Sequence, residues 1–401
     1  MRLSAAVAAA LVALALPCRA AETRPWAEIL DKAKGQTVHW NAWGGDDRNN
    51  AFIAWVGDAV KKRYGVSVGH VKLNDTAEAV ARIVAEKAAG RTEGGTVDLV
   101  WINGANFVAL KDRGLLHGPF AESLPNFRLV DVSGKPSTVV DFTVPVDGMA
   151  SPWLMAQVVY VYDAPRTDPA SLPRSAAAML EWARAHPGRL THPTVTNFLG
   201  ATFLKQALHE LAPDPAVLQR EATDAAFEAA AERLWAWYDA LKPHLWRGGT
   251  EFPENGPALR ELLADGEIDL MISFNPAEAV LSSSNGLLPP TARTMTLDRG
   301  SLGNTSFVAI PFNAANTEGA LVVANFLLEP EAQARAQDPK VIGLLNVLDL
   351  AKLSPVDRAR FLALAEQPGL PGPEELGRPL LEPHPSWSTR LTAAWQTRYL
   401  R

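Results

Sequence analysis

Apolar positions in the first part of the chain change from a strand-like run to helical spacing. The run that begins at Thr37 is β-type and breaks off at Trp43. Basic residues at 61–63 and Gly65 suit the last turn and the end of a helix. The residues before them show the i, i+3, i+4, i+7, i+8 spacing of an amphipathic helix: Phe52, Trp55, Val56, Ala59 and Val60. The pattern predicts a strand followed at once by a helix.

The same alternation continues through the next strands and helices. Residues 66–71 and 97–102 are predicted strands, and residues 74–76 can cap the helix between them. Asn103 and Gly104 then precede another short helix. The βαβαβ order implies a parallel sheet, in which ligands bind at the carboxyl ends of the strands.

A second lobe is predicted where Pro152 and Trp153 lead into a long β-type run. Without the first 20 residues, which are typical of an export signal, 381 of the 401 residues remain. That is more than one hydrophobic core usually organises. We expect an α/β fold of two lobes, each a mainly parallel sheet flanked by helices, with a ligand cleft between them. The expected bounds are 21–152 plus about 304–350 for lobe 1, 153–303 for lobe 2, and 351–401 for a helical, Pro-rich C-terminal segment packed on the lobes. The proline-rich tail from Pro368 is expected to be a strap on the surface.

The first 20 residues are typical of an export signal. Arg2 precedes an apolar run over 3–16, about 14 residues, which suits a signal peptide and is shorter than the roughly 20 needed to span a membrane. We expect cleavage near Ala20. Pro17 directly before Cys18 does not fit a lipid-anchor motif, so we do not expect acylation. Loss of Cys18 leaves no cysteine for disulfides, nucleophiles or thiolate metal sites.

Composition and motifs exclude several classes of function. The formal net charge is -6, and the charges form no long single-sign block, unlike a nucleic-acid-binding surface. The string GVSVG at 65–69 matches a nucleophile elbow, but a helix precedes it and a strand follows, which is the reverse of the required order. There is no His-Glu-x-x-His sequence. We expect no nucleic-acid partner, no catalytic residue, no metal and no cofactor.

Candidate ligand-binding residues lie at predicted strand ends and helix starts. Trp43 and the glycines after it either let a ligand approach the backbone under a stacked indole or form a tight turn around a core tryptophan. Thr196 and Asn197 either cap a helix or contact the ligand, and Glu278 either neutralises a cation or favours a helix N-terminus. The full candidate set is Trp43, Gly44, Gly45, Asp46, Asn103, Asn106, Phe107, Trp153, Thr196, Asn197, Asn275, Glu278 and Asn304.

Several longer segments carry a family resemblance. They include WNAWGG at 40–45, VKLNDTAEAV at 71–80 and DLVWINGANF at 98–107, followed by NGPALRELLADGEIDLMISFNPAEA and GSLGNTSFVAIPFNA. In this order they resemble the solute-binding component of bacterial ABC importers, specifically the YnjB-type family. The resemblance implies a type II-like periplasmic binding protein, expected to be a monomer, that delivers a small molecule to an inner-membrane permease with a separate ATPase subunit.

The resemblance also makes a thiamine-like molecule the leading ligand. Thiamine is cationic and has flat rings, so Trp43, Trp153 and Phe107 could stack on it, each cation-π contact contributing roughly 0.5 to 2 kcal/mol. Asp46, Asp47 or Glu278 could supply the counter-charge. A polyamine, a choline-like molecule or a sugar would suit the same groups. The alternative function is an exported enzyme, a hydrolase or lyase, that uses the same interlobe cleft.

Overall fold

A computed structural model describes residues 22–400 of the chain. The predicted signal peptide, with Cys18 and the cleavage near Ala20, lies outside the described residues. The helices are α1 Trp26–Ala33, α2 Asp47–Tyr64, α3 Ala77–Ala88, α4 Gly104–Lys111, α5 Ala176–Ala185, α6 Phe198–Leu211, α7 Asp224–Leu241, α8 Gly256–Ala264, α9 Glu278–Ser284, α10 Thr317–Leu327, α11 Pro330–Gln337, α12 Pro355–Ala365, α13 Pro373–Leu376 and α14 Pro385–Tyr399. The strands are β1 Thr37–Trp43, β2 Ser67–Leu73, β3 Leu99–Ile102, β4 Val140–Asp141, β5 Val144–Pro145, β6 Ala150–Gln157, β7 Val159–Asp163, β8 Leu270–Ser273, β9 Ala292–Met295, β10 Leu302–Ala309 and β11 Leu380–Leu381. Among residues 22–400, no helix combines the length and apolar character needed to cross a bilayer.

The first lobe is built on a six-stranded sheet in the order β11, β10, β3, β1, β2, with β6 also paired to β10. β1 is parallel to both β2 and β3, so the predicted βαβαβ unit is confirmed. Gly65 ends α2 in the left-handed conformation, at φ 71°, and its N–H donates to the Lys61 carbonyl. The return strand β10 is antiparallel to β3 and β6. The parallel strands therefore bring their carboxyl ends to one edge of the sheet.

Apolar side chains cover both faces of this sheet. Leu99 and Val308 belong to one buried cluster, whereas Val100 and Phe307, their neighbours in sequence, belong to another. Successive side chains of a strand point to opposite faces, so the two clusters lie on the two sides of the sheet. Helices cover each side, which is why these strands are apolar at consecutive positions rather than alternating.

The second lobe contains a three-stranded sheet whose central strand is β7. Only Val158 separates β6 from β7, so the chain passes directly from the first sheet into the second. β7 is antiparallel to β8 and β9, and the expectation of a mainly parallel second sheet is therefore wrong. Val159, at the start of β7, lies opposite Ser273, at the end of β8. β7 enters from the first lobe while β8 runs back toward it, which makes the pairing antiparallel.

The C-terminal segment contacts both lobes. Phe361 of α12 is buried in a first-lobe cluster, and β11 pairs with the start of β10. In α14, Trp387, Leu391 and Trp395 are fully buried in the core of the second lobe. Their i, i+4, i+8 spacing places them on one helical face. This part of the chain is therefore core rather than the surface strap expected from its proline content.

Candidate functional site

A cavity of about 300 Å³ lies between the two lobes. Its first-lobe wall is formed where β1, β2 and β3 end, as expected for a parallel sheet. Its second-lobe wall comes from the starts of α6 and α8 and from the end of β8. Ala156 of β6, and Asn304 and Ser306 of β10, line it from the crossing strands. The cavity is thus bounded by elements that meet only when both lobes are in place.

Aromatic side chains stand on both walls of the cavity. Trp43 and Trp101 line the first-lobe wall, and Phe198 and Phe274 line the second. The two phenylalanine rings are perpendicular, with centroids 5.5 Å apart, and Phe198 is 39% exposed. Trp101 was not among the predicted site residues. A flat, weakly polar ring could contact these groups without the burial of an additional charge.

Two predicted stacking residues, Trp153 and Phe107, are buried outside the cavity wall, so the structure does not support them as ligand contacts. Trp153 is 1% exposed and packs edge-on against Trp101, at 4.8 Å, and Trp40, at 5.6 Å. Phe107 is fully buried on the inner side of α4. Trp153 supports Trp101 from behind rather than touching the cavity itself.

The glycines of the opening turn and Thr196 also lie outside the cavity lining. A Cβ atom on Gly44 would lie 2.5 Å from the Cβ of Lys72, and one on Gly45 would lie 2.8 Å from the Trp43 ring. The absence of a side chain at Gly44 and Gly45 therefore allows Lys72 and Trp43 to pack closely against the backbone. The predicted contact of these glycines with the ligand is not supported. Thr196 is exposed, and its hydroxyl lies 3.3 Å from that of Thr194.

Asparagines supply most of the uncharged polar groups in the cavity. Asn197 accepts a hydrogen bond from the Leu199 N–H at 3.0 Å and also lines the cavity, so it caps α6 and stays a predicted contact. Asn275 donates to the Ile342 carbonyl at 2.6 Å and accepts from the Ala277 N–H at 2.9 Å, which commits its amide to shaping the turn before α9. The predicted residues Asn103, Asn106 and Asn304 line the cavity together with Asn49 and Asn74, which the sequence analysis missed.

Four charged side chains meet across the cleft. Asp46 caps α2, accepting from the Arg48 N–H, and its carboxylate lies 2.7 Å from Arg48 Nη2. From the second lobe, Glu278 Oε2 lies 3.6 Å from Arg48 Nη2, and Arg260 Nη1 lies 3.3 Å from Glu278 and 3.8 Å from Asp46. The cluster joins the lobes and is electrically balanced. Sequence reasoning missed both arginines.

The electrostatics of the cluster favour the charged forms of Asp46 and Arg48. Burial by itself raises the pKa of Asp46, but the hydrogen bonds and charge of Arg48 outweigh it and hold that pKa below its ordinary value. Burial lowers the pKa of Arg48, while the Asp46 hydrogen bond and the Glu278 charge raise it above its ordinary value. Asp46 and Glu278 were expected to neutralise a cationic ligand, but both are already paired with arginine.

Asp75 is the remaining acidic side chain at the cavity, and it is exposed where β2 ends. Its Oδ1 accepts from the Ala77 N–H at 2.8 Å, and it forms no ion pair with a basic side chain within residues 22–400. Three carboxylates and two guanidinium groups line the cavity, so its formal charge is -1, taken as three minus two. An excess of one negative charge suits a neutral or singly cationic ligand better than a polycation.

The side chains that line the cavity supply groups suited to ligand binding. No His, Cys, Lys or Tyr occurs among its lining residues in the described part of the chain. Within residues 22–400, no group of three or more His, Cys, Asp and Glu side chains is arranged to hold a metal ion. Ser273, Ser306 and Thr76 supply hydroxyl groups, and both cavity arginines are engaged with the carboxylates of Asp46 and Glu278. The arrangement offers aromatic contact, amide hydrogen bonds and a weak negative potential.

Comparison with known proteins places these features in a family. Residues 55–357 match the family described as bacterial extracellular solute-binding protein. The chain is 42% identical to Protein YnjB of Escherichia coli (strain K12) over 386 residues, which cover 96% of this chain and 97% of that protein.

Solved structures share the fold at low sequence identity. One is the periplasmic binding protein AfuA from Actinobacillus pleuropneumoniae with fructose-6-phosphate bound, with a TM-score of 0.62, 14% identity, and coverage of 91% of this chain and 99% of that one. Another is iron-bound HitA from Pseudomonas aeruginosa, with a TM-score of 0.62, 17% identity, and coverage of 90% and 98%. These likenesses show the two-lobed α/β fold of periplasmic binding proteins.

Proposed function

This chain belongs to the bacterial extracellular solute-binding protein family, and we propose that it captures a small molecule in the interlobe cavity for import. Closure of the lobes about their crossing strands would enclose the ligand, which an inner-membrane ABC permease with its ATPase subunit would then take up. We also propose that the lobes have the bounds given above and that the protein is a periplasmic monomer. Its signal peptide would be removed near Ala20.

The charge balance of the cavity supports a ligand with a flat ring and no more than one positive charge. A polyamine would need several free carboxylates, whereas Asp46 and Glu278 are paired with arginine, and within residues 22–400 Asp75 is the one acidic lining residue that is not. A sugar phosphate would need free cationic groups, and both cavity arginines contact carboxylates. Thiamine, with one permanent positive charge and two flat rings, is therefore the first candidate.

The single observation that carries this choice is the excess of one negative charge between aromatic walls. A thiazolium cation near Asp75 would gain a screened attraction, and the indoles of Trp43 and Trp101 line the same cavity. The asparagine amides and the same indoles also suit a neutral sugar, which is the second ligand class to test.

The test starts from whatever the protein carries when it is purified. The full chain is expressed so that export removes residues 1–20, and the mature protein is purified from the periplasm and denatured. The released small molecule is identified by mass spectrometry. Ligand-free protein is then titrated with thiamine, spermidine and glucose by calorimetry and tryptophan fluorescence. We expect one saturable thiamine site and recovery of unchanged thiamine. If the protein binds glucose tightly and does not bind thiamine, the ligand is a sugar and the thiamine proposal fails. Chemical conversion of the ligand would favour the enzyme alternative.

A further inference from the structure

A buried ion pair lies directly behind the cavity. Lys205 Nζ of α6 is 2.6 Å from Glu382 Oε2 of the C-terminal segment, and the two side chains are 1% and 2% exposed. The Lys205 ammonium also lies 4.8 Å from the centroid of the Phe142 ring and 5.0 Å from that of Phe198, a cavity residue. The pair therefore links the C-terminal segment to the second lobe at the cavity wall.

Strand register places Glu382 beside the cavity residue Asn304. β11 is parallel to β10, with Leu302 opposite Leu380 and Gly303 opposite Leu381. The next position along each chain brings Asn304 next to Glu382, and Asn304 Nδ2 donates to Glu382 Oε1 at 3.2 Å. The C-terminal segment is held in this register by Gln157, whose Nε2 donates to the Leu376 carbonyl at 2.7 Å.

This hydrogen bond fixes which end of the Asn304 amide faces the cavity. A carboxylate can only accept, so the NH₂ group of Asn304 must face Glu382. Asn304 is 5% exposed and lines the cavity. Its Oδ1 accepts no hydrogen bond from any residue between 22 and 400 and is not a fully enclosed atom. Asn304 Oδ1 therefore faces the cavity as a hydrogen-bond acceptor.

We propose that Glu382, held by Lys205, is a positioning residue that sets the hydrogen-bonding polarity of the binding site. Because it turns the Asn304 oxygen toward the cavity, the site selects a ligand that carries an N–H or O–H donor at that point. Asn197 complements it, since its Oδ1 is taken by the Leu199 N–H and its NH₂ group is left as a donor. An aminated heterocycle suits both asparagines, because its N–H group can donate to Asn304 Oδ1 and its ring nitrogen can accept from the Asn197 NH₂ group. This inference rests on the proposed function.

The test compares two probes that differ at one donor. Thiamine carries an amino group on its pyrimidine ring, and 4′-deaminothiamine carries a hydrogen atom in the same place. Calorimetry measures both affinities for the parent protein, for Glu382→Gln, and for the double variant Lys205→Met with Glu382→Gln. The double variant removes both buried charges together, so it covers the case in which Glu382→Gln alone does not fold. Glu375→Gln, at an exposed carboxylate of the same segment, is the matched control.

We expect the parent and the control to prefer thiamine by about tenfold to a hundredfold, the usual effect of leaving a buried hydrogen-bonding group unsatisfied. A glutamine at 382 can donate as well as accept, which frees the Asn304 amide to turn. The preference should therefore fall to about threefold or less in both Glu382 variants. A folded Glu382 variant that keeps the full preference of the parent would overturn the proposal.

A second measurement separates this inference from the choice of ligand. If the parent binds neither probe, thiamine fails as the ligand, and Glu382 is then tested without ligand. In protein labelled with ¹⁵N-asparagine, the Asn304 side-chain NH₂ resonance is identified by its loss in Asn304→Ser. We expect slow hydrogen exchange in the parent and a shifted, faster-exchanging resonance in the folded Glu382 variants. An unchanged resonance and exchange rate in those variants would refute the role of Glu382.

Discussion

The buried pair of Lys205 and Glu382 makes a strong prediction about stability. At 2.6 Å and an effective dielectric constant of about 20, the attraction between two unit charges is about 6 kcal/mol, which offsets the desolvation of both groups. Removing one partner leaves the other charge buried alone. We therefore expect Lys205→Met or Glu382→Gln to lower the free energy of unfolding by about 3 to 5 kcal/mol. The double variant should recover most of that loss, because no charge is left unpaired.

The assay is urea denaturation followed by circular dichroism and tryptophan fluorescence. Trp387 and Trp395 are fully buried in α14, so displacement of the C-terminal segment should be visible in the emission spectrum. Arg390 and Asp224 provide a matched control, since they also join α14 to the second lobe at 2.7 Å but are 36% and 87% exposed. Arg390→Met should cost under about 1 kcal/mol. The reasoning is refuted if each buried single variant also costs under about 1 kcal/mol and the two losses simply add.

Further predictions concern the cavity and the pH dependence of stability. Trp43→Ala should weaken thiamine binding by about 3- to 30-fold through loss of a cation-π contact, whereas Trp153→Phe should lower the melting temperature and leave affinity nearly unchanged; equal affinity losses in calorimetry would contradict this. Asp75→Asn should weaken thiamine binding by about two- to fivefold at low salt and by less at high salt. A loss of affinity that does not change with salt concentration would argue against a charge contact. Burial lowers the pKa of His192 to about 4, so the folded state binds fewer protons than the unfolded state between pH 4 and about 6.5. The free energy of unfolding should therefore fall by up to about 3 kcal/mol as the pH drops through that window. His192→Gln should reduce this fall, whereas His244→Gln should not. Parallel pH curves for the parent and His192→Gln would refute the role of His192.

Local patterns predicted the first lobe well. The alternation of strand and helix up to Asn103 depends on residue spacing within about 15 positions, which a single sequence displays directly. Because parallel strands end at one edge, Asn103 and Asn106 could be placed at a cleft before any contact was known. Asn275 could be placed in the same way at the end of a buried strand from the other lobe.

Long-range packing could not be predicted in the same way. Trp153 lies in a strand buried on both faces, so no alternation distinguishes a cavity residue from a core residue there. Arg48 is two positions from Asp46 and could have been recognised as its partner, but Arg260 reaches the same cluster from the other lobe. The direction of β7 depends on where the chain enters the second lobe, which apolar composition does not encode.

The place of α14 in the second-lobe core affects the order in which a growing chain can fold. That core contains Val158 near the middle of the sequence and Trp395 close to its end. A ribosome adding roughly 5 to 20 residues per second needs on the order of 10 to 50 s to make the stretch between them. During that time the apolar face that receives α14 has no partner from its own chain. Synthesis must therefore be nearly finished before the second lobe can close its core, which gives an unfolded intermediate time to engage chaperones or a secretion machinery.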